Sequence, residues 1–353
     1  QGGNMLFKYF GEITTDNTSN PLPRVSFLTD GLFRFTQPAF LNDKGSEGKF
    51  FPYFNEFSPA DIEWARKKDV SISRAGSEKL SDNELINYYL RPTGVRVGEI
   101  APHLVKIQSG HQSIDEYDRD TFESTVYAFN KAITDLLSHN IGIFSLCKSE
   151  DNEHMWTHYA SEGRGIAISF NEEHPFFKIN KPQDVSYKPK DRATITYYKG
   201  ALRVNGYPSR SFINVSTKSD AELFMSLLSN GIDIEDLTRR LLFSKANHWS
   251  IENEARILLP LSSCEYKCGK EITFTAANEL QDCAPGIFLT SSEINLKRIP
   301  FPAFDTLYFG YETPPENIEK IIILIKKNSE LSHMKVKRMR FNIYGHLQAY
   351  DIF

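Results

Sequence analysis

The chain has 353 residues, 40% hydrophobic and 24% charged, a balance usual for water-soluble globular proteins and long enough for one large domain or two ordinary ones. A formal net charge of −4 and a pI near 6.2 exclude a globally basic surface of the kind that binds nucleic acid or acidic membrane. No apolar run approaches the roughly 18 residues of a membrane span and no leader pattern opens the sequence, so no membrane entry is expected, and four cysteines that imply no disulfide framework point to a reducing, cytoplasmic compartment.

Residues 1–4 read as the remnant of an expression tag and 5–353 as a single α+β domain, since no linker, repeat or low-complexity stretch divides them. Leu6 to Phe10 has strand alternation, with Phe7 and Tyr9 on one side and Lys8 on the other. After a polar loop from Thr14 to Pro23, a second strand is expected over Leu32 to Thr36, and Pro38 to Phe51 is an irregular, glycine-containing loop holding Asn42 and Asp43. Ser58 caps a helix through Ala65, and Ser81 with Glu84 forms a capping box for a helix to Leu90. Phe122, Val126, Phe129, Ile133 and Leu136 or Leu137 mark one apolar stripe on a long helix, Asp115 to His139.

Ile141 to Phe170 then reads as strand, polar hinge, short aromatic helix and strand, with Gly163 and Gly165 ending the helix. Loop is expected from Phe170 to Lys181, with strands over Val185–Tyr187 and Thr194–Tyr198. Helices follow at Ser219–Ser229 and Ile234–Asn247, and Ile251 to Leu259 alternates as a strand. Ala303–Gly310 reads as a strand, Pro315–Lys327 as a helix, and the tail as a hairpin around Tyr344-Gly345. This mixture predicts an α+β fold with a mainly antiparallel sheet and flanking helices. Lys326, Lys327, Lys335, Lys337, Arg338 and Arg340 form the one basic run, read as a solvated helix end and edge strand.

Of the four cysteines, Cys264 and Cys268 are spaced one residue too far for the usual first pair of a zinc knuckle, and no second close pair follows, so no metal is expected. His154 and His158 stand at i and i+4, but HMWTH lacks the glutamate that zinc helices place after the first histidine. No Walker loop, GxGxxG or GxSxG is present, which argues against P-loop ATPases, dinucleotide-binding dehydrogenases and α/β-hydrolases.

The most specific pattern joins Ser145-Leu146-Cys147, Met155-Trp156-Thr157-His158-Tyr159-Ala160, Gly165 to Phe170, and Lys245 and Trp249 ahead of Glu252-Asn253-Glu254-Ala255-Arg256. Phe7-Lys8-Tyr9 and the partial loop mark Pro38, Asn42 and Asp43 add to it, although Leu41 and Lys44 depart from the pattern. Together these resemble domain of unknown function 2971, an uncharacterised and mostly bacterial family. With no settled activity in that family, the chemistry has to come from the residues.

Glu252 and Glu254, two carboxylates at i and i+2 in an expected strand, are the first candidates for catalysis, with His158 as a proton donor or substrate-gripping group. A Glu-x-Glu strand is also similar to the third motif of mono-ADP-ribosyltransferases, where a glutamate stabilises the oxocarbenium-like ribose of NAD. That analogy implies NAD as substrate, held by Lys8, Tyr9, Asn42, Asp43, Ser145, Trp156, Tyr159 and Arg256. It implies a toxin or defence effector acting on a protein or nucleic-acid target. Two other readings stay open: a non-enzymatic module that binds a nucleotide or a protein, with the carboxylates in ion pairs at a solvated sheet edge, and a nucleic-acid-processing effector.

Overall fold

A computed structural model describes residues 5–13, 22–73, 78–209, 222, 231–270 and 293–352. The chain forms two compact units, the first from Gln1–Gln37, His139–Val185 and His248–Phe353 and the second from Pro38–Ser138 and Ser186–Asn247. The sequence offers no linker because the chain passes between units several times through ordinary turns and element ends. The expected helix over Ser219–Ser229 lies outside the described residues.

An eight-stranded sheet organises the first unit, in the order Leu347–Asp351, Lys335–Phe341, Phe304–Phe309, Ile166–Phe170, Leu6–Phe10, Ile141–Cys147, Glu254–Pro260, Gln183–Asp184. Every pairing is antiparallel except Phe304–Phe309 with Lys335–Phe341, which the helix Pro315–Lys327 joins as a crossover. Alternation along these strands gives the sheet two buried faces. One carries Leu6, Phe144, Ile168, Phe170 and Leu307 against Phe27 and Phe33, whose rings stack at 5.0 Å. The other carries Phe7, Tyr9, Cys147, Ala167 and Tyr308 against Trp156 and Ala160. A smaller sheet runs Leu32–Arg34, Glu293–Arg298, Tyr266–Lys270, with Glu293–Arg298 in the middle.

In the second unit a four-stranded sheet runs Tyr207–Ser209, Ala201–Val204, Thr194–Tyr198, Phe51–Phe54, the last pair parallel. Its buried polar centre is Asp61, which accepts from Ser58 N–H and Oγ at 2.7 Å each, Thr196 Oγ1 at 2.6 Å and Arg203 Nε at 3.1 Å. Asp61 thus serves both as the capping-box partner of Ser58 and as counter-ion to a buried arginine. The long helix spans Ile114–Asn140 and buries Phe122, Phe129, Ile133 and Leu137 of the expected stripe.

The fold is α+β and mainly antiparallel, as composition and periodicity predict. Several local expectations change, and the helix expected over Ile234–Asn247 ends at Leu242. Pro175–Ile179 is a short helix capped by His174, the strand expected at Val185–Tyr187 is instead Gln183–Asp184, and Ala201–Val204 and Tyr207–Ser209 form a hairpin with no counterpart in the reading. The strand expected from Ile251 begins at Glu254, because Asn247–Glu252 coils into a 3₁₀ helix and Asn253 takes φ +45°. Among the described residues no helix is long and apolar enough to cross a membrane.

Candidate functional site

The central strand Leu6–Phe10 lies between Ile166–Phe170 and Ile141–Cys147, with Phe7 opposite both Cys147 and Ser169. Strand alternation sends Lys8 to one face and Tyr9 to the other, so these two expected cofactor ligands diverge. Lys8 Nζ donates to the Ser145 carbonyl at 2.9 Å and lies 5.1 Å from the centre of the Phe144 ring. Burial lowers its pKa to about 8, against the opposing pull of Glu254. Tyr9 donates through its hydroxyl to Ser149 O at 2.6 Å and meets Trp156 edge-on at 5.1 Å, and burial raises its phenol far above the ordinary value.

The helix Glu153–His158 forms where Asn152 accepts from Met155 N–H at 3.2 Å, a cap that its sequence position allows. The same side chain donates through Nδ2 to Ile251 O at 2.7 Å, tying the helix start to the late 3₁₀ turn. Trp156 is fully buried and donates its indole N–H to Glu150 O at 2.7 Å. It is a core residue that pins the polar hinge. His158 is exposed in the last helical turn, with the His154 ring 4.3 Å from its own.

Tyr159, just past the helix, donates through its hydroxyl to Glu252 Oε1 at 2.6 Å. Glu252 is 4% exposed at the end of the 3₁₀ turn, and Glu254 is 7% exposed at the first strand position, opposite Cys147. Arg256, opposite Ser145 and 1% exposed, grips Glu254 with Nε at 2.8 Å and Nη2 at 2.9 Å. Residues at i and i+2 of a strand share a face, which is why these two pair. Glu252 is outside the strand, so the shared-face argument for the two glutamates fails, and neither decorates a solvated edge. The Cys147 thiol is buried beside them, and burial pushes its pKa up to about 11, which disfavours the thiolate a nucleophile needs.

Asn42 and Asp43 belong to the second unit. Asp43 accepts from the Gly45 and Ser46 amides at 3.0 and 3.1 Å and from the Ser46 hydroxyl. Burial alone would raise its pKa, but the Ser46 and Gly45 hydrogen bonds and nearby Lys245 hold it below the usual carboxylate value. Its own N–H donates at 3.2 Å to Glu47, a 4% exposed carboxylate whose other oxygen is 3.9 Å from Lys245, itself 3% exposed. Glu47 escapes the sequence reading because a single glutamate between glycines in a loop carries no pattern. Arg164, beside the helix exit, makes a surface ion pair with Glu12 at 2.9 Å.

The first unit is therefore a mainly antiparallel sheet whose central and late strands, with one short aromatic helix, converge on a half-buried tyrosine–glutamate contact beside a buried glutamate–arginine pair. Residues 155–257 match the family described as protein of unknown function (DUF2971). No curated protein and no solved structure matches the chain.

Proposed function

We propose that the first unit is an ADP-ribosyltransferase-like enzyme with NAD as its substrate, in which Glu252 is the acting carboxylate and Glu254 a structural one. The observation that carries this reading is the 2.6 Å hydrogen bond from Tyr159 to Glu252, which joins a central tyrosine to a late glutamate separated from it by 93 positions. Loss of nicotinamide leaves the ribose with oxocarbenium character as the glycosidic electron pair departs with the base. A fixed carboxylate stabilises that charge until a nucleophile of the target adds to the same carbon. Backbone strain at Asn253, φ +45°, fixes the approach of Glu252 and is of the kind that clusters at functional sites. Glu254 is already neutralised by both arms of Arg256, so it has no comparable role. A toxin or defence effector is the biological setting this activity implies.

A second reading, a non-enzymatic module for a nucleotide or protein, draws on the same pair: both glutamates are buried and held by protein donors. Incubation with NAD labelled in the nicotinamide separates the two. The transferase reading expects release of nicotinamide, reduced roughly 100-fold by Glu252→Gln with melting temperature retained. Release that neither Glu252→Gln nor Glu254→Gln changes, or NAD binding with no release at all, favours the module.

A further inference from the structure

The second unit holds a cavity of about 120 Å³ between the helix Pro59–Ile72, the Asn205-Gly206 turn and the helix Ile234–Leu242. That is room for several waters or one small organic ion. Its cationic donors are engaged. Arg240 gives Nε to Asp236 at 2.7 Å, Nη2 to Glu63 at 2.8 Å and Nη1 to Lys190 O at 2.8 Å, and Lys67 pairs with Glu63 at 2.8 Å. Its acceptors are not all committed. Asn205, 5% exposed, donates Nδ2 to Asp236 at 3.1 Å, which orients the amide, while its Oδ1 has no hydrogen-bond partner among the described residues. Asp233 caps the helix through Oδ1 and makes no ion pair among the described residues.

An unmet buried acceptor disfavours the empty site, so the cavity is short of N–H donors and of positive charge. The arrangement is also rigid. Asn205 and Gly206 take φ +47° and +86°, the left-handed pair of a tight hairpin, and a Cβ on Gly206 would stand 2.3 Å from Ala60 O. The turn is thus seated against the helix start, and the Asn205 backbone N–H is held by Thr194 O at 2.7 Å. The Trp64 indole and Tyr207 complete the lining.

We propose that this cavity binds a small organic cation rich in N–H donors, an alkylguanidinium or alkylammonium, whose N–H groups fill Asn205 Oδ1 and whose charge balances Asp233. The site is independent of the transferase reading. Against partial desolvation, Lys67 and Arg240 hold Glu63, and Arg239 and Arg240 hold Asp236, below the usual carboxylate range, so both stay ionised through neutral pH.

Calorimetric titration of the full chain with methylguanidinium and with ethylammonium, at constant ionic strength, tests the proposal, with urea and acetate as neutral and anionic arms. Saturable binding of at least one cation is expected, with urea and acetate much weaker. Asn205→Gly keeps the turn, because glycine accepts positive φ, and weakens the cation about tenfold or more. Asp233→Asn weakens the cation while leaving urea unaffected. An N-acetylated, C-amidated arginine that binds as well as methylguanidinium identifies a partner's side chain as the occupant, and its exclusion identifies a free small molecule. No saturable heat from either cation, urea binding as tightly as the cations, or unchanged affinity in a folded Asn205→Gly overturns the proposal.

Discussion

Lys8 is the middle residue of the central strand, with its ammonium against the Phe144 ring and the Ser145 carbonyl, and its chemistry makes a measurable demand on stability. Burial first, then Arg34 and Arg24, bring its pKa from the ordinary 10.5 to about 8, while Glu254 opposes them. Between those values the unfolded chain holds a proton that the folded chain has released, so folding is favoured increasingly as pH rises through the window. Burial of the charged form therefore weighs on the fold below pH 8 and is relieved above it. Denaturant unfolding of the native chain and of Lys8→Met from pH 7.5 to 10.5 measures this as the difference between the two curves. The native chain should gain up to about 3 kcal/mol relative to the variant over that range. The Cys147 thiol, raised by burial, tilts both proteins the other way and cancels in the difference. A flat difference would mean that Lys8 keeps an ordinary pKa.

At the scale of elements, the exit from the helix Glu153–His158 shows what glycine does here. Gly163 has the positive φ expected of it, +79°, but the left-handed turn itself is carried by Ser161 and Glu162 at φ +49° and +55°. Gly165 is required for approach: a Cβ there would lie 2.1 Å from Phe10 O and 2.9 Å from Ala160 Cα, both backbone. Gly165→Ala must therefore shift the sheet or the helix, at a cost of about 3 kcal/mol or more. Gly45→Ala, whose Cβ would meet only Asp43 Oδ1 at 3.4 Å, should be nearly neutral. Thermal unfolding of the pair checks both, and equal melting temperatures would contradict the close approach. The elements legible in the sequence are those set by local rules: Leu6–Phe10 from alternation, Ile166–Phe170 and Thr194–Tyr198 as short apolar or β-branched and aromatic runs, Pro315–Lys327 from its proline start. The alternation over Ile251–Leu259 could not separate a 3₁₀ turn from a strand start, because Asn253 breaks the period without changing the polar pattern. In the candidate site, the Glu254–Arg256 pair follows from strand geometry once the strand is placed. The Tyr159–Glu252 contact and the Glu47–Lys245 pair are tertiary, and no spacing rule reaches across so many residues.

At the scale of the whole molecule, the segment that carries the family match, residues 155–257, cannot be a folding unit by itself. Its strand Ile166–Phe170 is bracketed by Leu6–Phe10 and Phe304–Phe309, both outside the segment. Glu254–Pro260 takes its longest pairing from Ile141–Cys147, also outside. Thr194–Tyr198 loses Phe51–Phe54, and Asp61, the buried counter-ion of Arg203, goes with the helix that supplies it. Removing these partners strips each strand of a neighbour and leaves a buried arginine uncompensated, which typically costs 3–5 kcal/mol on its own account. What remains is too little to oppose the conformational entropy of about a hundred residues. Expressed alone, residues 155–257 should give a narrow amide proton spectrum and no cooperative thermal transition, while residues 5–353 unfold cooperatively. A dispersed spectrum from the fragment would show that the strand partners are dispensable. The matched motifs are then the part of the fold that lines the tyrosine–glutamate contact, and the strands that hold them in register come from sequence on either side of the match.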